Sequence, residues 1–217
     1  MKVFKLLAAA AMVLAIGSTA SAQIRFDAQV GWSVPQGKYF DDAAKGGLCY
    51  SLDLMYAPSF LNGQLSFGIA KDGNLLFGAK KGADWGMGSA DVEYSASKLG
   101  LVGGKVRFDL KAPIVKPYAA ITLGAGRLKL GDVKSASASF NLGGISLGAK
   151  GDDSFEYDPV TAFAVKPELG VALGWFTFGV GWMLPTDYEV TEFTGEKVKY
   201  HAGTTQFNIG VAFKFGD

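Results

Sequence analysis

IRFDAQVGWSV, residues 24 to 34, alternates without a break: Ile24, Phe26, Ala28, Val30, Trp32 and Val34 are apolar, while Arg25, Asp27, Gln29, Gly31 and Ser33 are polar or glycine. Such alternation predicts a β-strand with one apolar and one polar face. At about 3.3 Å per residue the segment extends roughly 36 Å. Tilted by about 45° it crosses roughly 25 Å, the height of the apolar band on a bacterial transmembrane barrel. The stretch therefore predicts a chain that crosses a membrane by strands.

The residues ahead of it say which membrane. Lys2 and Lys5 make a basic start, Leu6 to Ile16 form an apolar core too short to span a bilayer, and Ala20-Ser21-Ala22 is a small-residue cleavage site. This pattern reads as a secretory signal peptide over residues 1–22, leaving 23–217 as one domain. Composition agrees with a membrane-spanning class: 30 glycines, 13% aromatic residues and only 19% charged residues, against roughly 25% charged in a soluble globular protein. A net charge of +1 offers no basic excess for nucleic acid. Cys49 is the single cysteine, so no internal disulfide holds the exported fold. A closed barrel needs none, because it leaves no strand edge unpaired.

The alternation recurs at Leu48 to Tyr56, Leu65 to Ile69, Val106 to Leu110, Ala119 to Ala125, Phe163 to Trp175, Phe176 to Leu184 and Phe207 to Phe215. With the opening segment these make eight strands, the even number expected of such a barrel. The phase flips at Trp175-Phe176, as a tight turn requires. Short connections (Ala57 to Gln64, Lys111 to Lys116, the turn at Trp175) alternate with long polar ones (Pro35 to Gly47, Lys71 to Lys98, Arg127 to Thr161, Pro185 to Thr204). In an up-and-down meander the two kinds fall at opposite ends, as periplasmic turns and external loops do. Strand-like pieces at Asn74 to Ala79 and Ser137 to Ala149 extend hairpins beyond the membrane or, alternatively, add two strands to make ten.

Period alone does not say which face is inside, since a soluble lipocalin-type barrel has the inverse arrangement. The polar face here is mostly Gly, Ala, Ser and Thr, too poor in Lys and Glu for a water-facing surface. Aromatic residues near strand ends, Trp32, Tyr56, Tyr118, Trp175 and Trp182, fit interfacial girdles. With the apolar face outward, Arg25, Asp27, Asp53, Lys105, Arg107, Asp109, Lys166, Glu168 and Lys214 point into the lumen. An eight-stranded interior is just filled by side chains, so this nearly balanced set is expected to pair and plug it. Inward glycines such as Gly31, Gly124, Gly170, Gly179 and Gly210 either leave a narrow water-filled cavity or relieve crowding.

The signal peptide, the alternating segments, VKPYAAITLGAG (Val115 to Gly126) and the closing QFNIGVAFKF (Gln206 to Phe215) resemble the outer-membrane β-barrel family of OmpA-like and OmpX-like proteins. The resemblance implies localisation in the outer membrane and surface-exposed loops used in adhesion, envelope integrity or surface binding. It implies as partners the outer-membrane lipid, an extracellular ligand or host surface, and the barrel assembly machinery, which recognises a terminal aromatic residue; Phe215 fills that place, with Gly216 and Asp217 trailing. No nucleic acid and no cofactor is expected, and the chain is expected to be a monomer.

Two other function classes have less support. A narrow channel for ions or small solutes is the alternative to a plugged lumen. A lipid-modifying enzyme would need a base and a nucleophile in reach near the external rim. His201, the sole histidine, lies there with Thr204 and Thr205 nearby, but in no recognisable spacing. Asp152, Asp153, Glu156 and Asp158 lack the ligand spacing of a calcium loop. Gly124-Ala125-Gly126 and Gly103-Gly104-Lys105 are incomplete as nucleotide-binding motifs.

Overall fold

A strand with one apolar and one polar face satisfies both only where its edges are paired and its faces meet different surroundings. The computed structural model, which describes residues 23–37, 44–58, 64–78, 80–84, 88–142, 145–151, 157–191 and 195–215, meets that condition by closing the chain on itself. The residues read as a signal peptide lie outside this set.

The strands are β1 (Gln23–Gln36), β2 (Ala44–Ala57), β3 (Leu65–Gly78), β4 (Lys80–Asp84), β5 (Gly88–Tyr94), β6 (Ser97–Asp109), β7 (Val115–Lys129), β8 (Val133–Leu142), β9 (Ile145–Gly151), β10 (Val160–Leu173), β11 (Phe176–Thr191) and β12 (Lys197–Phe215). Eight of them form a closed antiparallel barrel in the order β1-β12-β11-β10-β7-β6-β3-β2. Closure is sealed by β1 against β12, from Ile24 opposite Phe215 to Gln36 opposite Gly203. The ten-strand alternative does not hold, because β4, β5, β8 and β9 form a separate four-stranded sheet in the order β4-β5-β8-β9. Two long connections, β3 to β6 and β7 to β10, supply it.

The apolar face is outward. Val30 is 63% exposed, Phe163 66% and Trp175 72%, while Arg25, Asp27, Arg107 and Lys166 are at most 1% exposed. A continuous exposed apolar wall on a closed barrel is a lipid-facing surface, and the fold is a transmembrane β-barrel. Aromatic pairs mark both rims. Trp32 meets Phe77 at 5.9 Å toward the loop end, whereas Tyr56 meets Phe67 at 5.5 Å and Trp175 meets Phe213 at 6.1 Å toward the short-turn end.

The strands outrun the apolar pattern. β3 continues through Lys71–Gly78, paired with β2 and β6, and β11 and β12 continue past Pro185 as a hairpin with Thr191 opposite Lys197. The strand-like piece from Asn74 does extend a hairpin, whereas the β11–β12 extension falls in a stretch the sequence pattern places in a loop. Above the lipid a hairpin has water on its outer face, so apolar alternation is not required there. Pro185, which has no N–H to donate, falls in the register shift between Met183 and Thr186. One ladder is short: β10 pairs with β11 only from Glu168 to Leu173, stopping next to Pro167, although β10 pairs with β7 over its whole length.

Candidate functional site

Arg-Phe-Asp occurs twice, at 25–27 on β1 and at 107–109 on β6. In a strand the Arg and Asp of each triplet point to the same side, and closure brings both pairs into the lumen at the short-turn end. Arg25 Nε lies 2.8 Å from Asp27 Oδ1, and Arg25 Nη1 lies 2.8 Å from Asp109 Oδ2. Reciprocally, Arg107 Nη1 is 3.0 Å from Asp27 Oδ2 and Arg107 Nη2 is 2.8 Å from Asp109 Oδ1. Each guanidinium thus spans both carboxylates, which fixes the four side chains in a ring. The repeated triplet is the sequence signal for this ring.

A second cluster sits one level higher. Lys105 Nζ bridges Asp53 Oδ2 at 2.6 Å and Glu168 Oε2 at 2.9 Å; Lys166 pairs with Asp72 and lies 3.8 Å from Glu168. Tyr118 donates its hydroxyl to Glu168 Oε1 at 2.8 Å, and the Arg107 guanidinium lies 3.4 Å over its ring. Tyr118, expected in the lipid-facing girdle, is therefore a lumen residue, 3% exposed. The reason is register: Tyr118 pairs opposite Asp109 and Gly170, both inward positions. Trp32, Tyr56, Trp175 and Trp182 do lie in the outward register. Lys214 is opposite Arg25 but is exposed at the mouth, with no carboxylate within ion-pair distance among the described residues. Asp72, placed in a loop by the sequence pattern, takes a place in the enclosed set.

Above these clusters the lumen changes character. Gln206 donates to Asn74 Oδ1 and Asn74 to the Leu99 carbonyl, both at 2.9 Å, and the Cys49 thiol meets Asn208 Oδ1 at 3.2 Å. Beyond this polar layer, Leu76, Leu99, Leu101, Leu128, Met183 and Tyr188 pack together from four strands, each at most 1% exposed. The lumen is layered: ionic, then polar, then apolar at the loop end. The apolar layer escaped the sequence reading because its residues, apart from Met183 within the Phe176 to Leu184 segment, lie in stretches assigned to loops or gaps between strands.

The inward glycines are occupied space. A Cβ at Gly170 or Gly179 would come within 2.5 Å of the Tyr118 side chain, and one at Gly181 within 2.7 Å of Lys166 Cε. They relieve crowding beneath the large side chains.

His201 faces outward, with Nδ1 2.9 Å from Oδ1 of Asp187, its cross-strand partner. Thr204 points inward and is fully buried. Thr205 shares the outward face with His201 but lies four residues along the strand, about 13 Å, and accepts a hydrogen bond from Gln36 at 2.6 Å. Neither threonine is in reach of the histidine, so this group lacks a nucleophile. Asp152, Asp153 and Glu156 lie outside the described residues. Phe215 ends β12, 60% exposed, stacked on Phe213 at 6.4 Å.

No protein-family model and no curated protein matches the chain. Among solved structures it is similar to Neisserial surface protein A, with 16% identity, 89% of this chain and 97% of the other covered, and a TM-score of 0.44. It is also similar to Ail, the attachment invasion locus protein of Yersinia pestis, with 16% identity, 89% and 99% covered, and a TM-score of 0.39.

Proposed function

We propose that the chain is an integral protein of a Gram-negative outer membrane, exported by residues 1–22, whose external loops act in adhesion, surface binding or envelope structure. One observation carries this reading: the lumen is filled through three successive layers, while two loops build a sheet of their own at one end of the strands they connect. Material does not need to pass through such a barrel for it to be useful. The filled barrel offers a rigid base for the β4-β5-β8-β9 sheet, whose outer strands β4 and β9 have no further strand partner among the described residues. An unpaired strand edge is a template for pairing with another chain, which fits an extracellular protein ligand or a host surface. The barrel assembly machinery, reading Phe215, would insert it.

The test has two arms. Planar-bilayer recording of the refolded protein is expected to show no steady conductance; a stable open level would favour the channel reading. A variant with residues 79–96 and 130–159 each replaced by a short Gly-Asn turn is expected to keep its heat-dependent gel mobility but lose attachment to host cells when presented on a bacterial surface. Undiminished attachment would remove the loops from the function.

A further inference from the structure

Among the described residues, basic side chains gather at one place on the outer wall of the barrel. On β3, β6 and β7, near the loop end, the outward positions include Lys71, Lys98, Arg127 and Lys129. Register sets them side by side. Lys98 is directly opposite Lys129, Gly100 is opposite both Gly73 and Arg127, and Lys71 is opposite Val102. With strands about 4.8 Å apart and about 3.3 Å per residue, the four backbone positions fall within a patch of roughly 10 by 13 Å. The acidic residues of β2, β3, β6 and β7 are Asp53, Asp72 and Asp109, and all three point into the lumen. Lys129 has Asp132 at 3.9 Å, whereas no described carboxylate pairs with Lys71, Lys98 or Arg127. The outward charges of the β11–β12 hairpin contrast with this, since Glu189 meets Lys197 at 2.9 Å and Asp187 meets His201.

The same place is indented. Gly73 and Gly100 lack side chains in adjacent strands, and the Tyr50 ring, from the strand on the other side of Gly73, reaches to 2.4 Å from where a Gly73 Cβ would stand. The resulting groove, of about 710 Å³, is bordered by Leu48, Tyr50, Leu75, Val102 and Ala125 together with Lys71, Lys98, Arg127 and Lys129. Its upper edge stands above the rim aromatic Trp32: the row of partners Trp32, Leu48, Leu75 and Lys98 crosses three strand spacings, and with strands tilted by about 40° it climbs roughly 9 Å toward the loop end. Like charges placed opposite one another across strands are unfavourable unless an anion lies between them. Cations at the interface above an apolar trough match a molecule with an anionic head and hydrocarbon tails.

We propose that this groove is a binding site for one phosphorylated glycolipid of the outer leaflet, of the lipid A type. Its phosphates sit among Lys71, Lys98, Arg127 and Lys129, and an acyl chain runs past Tyr50 and the Gly73–Gly100 dent toward Val102. The site rests on the membrane-spanning reading of the barrel and deepens it by naming a lipid.

The test is native mass spectrometry of the full barrel released from detergent in the presence of bisphosphorylated lipid A, dephosphorylated lipid A or inorganic phosphate. The wild type is expected to retain one bisphosphorylated lipid, little of the dephosphorylated form and no inorganic phosphate. The triple variant K71Q/K98Q/R127Q is expected to bind about a hundredfold more weakly, the loss anticipated for three interfacial cations. K71R/K98R/R127K is expected to restore binding, and K197Q/K199Q to leave it unchanged. Equal retention of both lipids, or no effect of the triple variant, overturns the site. Heat-dependent gel mobility of each variant reads the barrel separately, so loss of that shift in the wild type would instead refute the membrane-spanning fold.

Discussion

Lys105 carries the middle of the lumen. Its ammonium lies between Asp53 and Glu168, both essentially inaccessible to water. Removing Lys105 leaves the enclosed Asp53 without its cation and Glu168 with only the more distant Lys166 and the Tyr118 hydroxyl; breaking such a buried pair costs about 3 to 5 kcal/mol. Lys105→Met is therefore expected to lower unfolding free energy by that amount in urea titrations followed by tryptophan fluorescence in lipid vesicles. Tyr118 is a milder probe and reports where the residue points. If its hydroxyl bonds Glu168, Tyr118→Phe costs about 1 to 3 kcal/mol in the same titration; no change would return Tyr118 to the lipid face. The Asp187–His201 pair is exposed, so its contribution is small. His201→Ala is expected to leave both stability and the lipid A composition of the cell unchanged, as judged by mass spectrometry of extracted lipid.

Among elements, β7 shows the two faces at their plainest. Ile121 is outward and 41% exposed, and Thr122 next to it is 1% exposed. Ile121→Arg places a charge against hydrocarbon near mid-strand and is expected to cost about 2 to 4 kcal/mol, measured by the same urea titration. The β10–β11 pair is the shortest ladder of the barrel, since its pairing ends at Glu168. Backbone groups of β11 above Gly181 that face β10 are expected to exchange their amide hydrogens faster than those of the fully paired β6–β7 ladder, by NMR or mass spectrometry. Uniform exchange across both ladders would mean that the upper seam is closed in the membrane. β11 also shows why sequence boundaries came out short. Alternation records contact with lipid, and Thr186 to Thr191 stand beyond it while remaining paired to β12.

For the molecule as a whole, period-two alternation determined the eight transmembrane strands, the outward face of their apolar segments and the sorting of short and long connections. Those properties are local, because the pleat sends successive side chains to opposite faces and lipid tolerates only one kind. Eight of the nine charges read as inward are enclosed, since excluding them from lipid needs no knowledge of partners; Lys214 is exposed at the mouth, and Asp72 was missed. Closure decided the rest. Arg25 finds Asp109 and Lys166 finds Asp72 across 84 and 94 residues of chain, and no local pattern encodes which strands lie across a lumen. Tyr118 was misassigned for the same reason, because a tyrosine near a strand end suits either face until its register partner is known. Alternation could not reveal the apolar layer inside the loop end, the independent β4-β5-β8-β9 sheet or the basic groove on the wall. Each arises where residues from strands distant in sequence are brought together by the order in which the barrel closes.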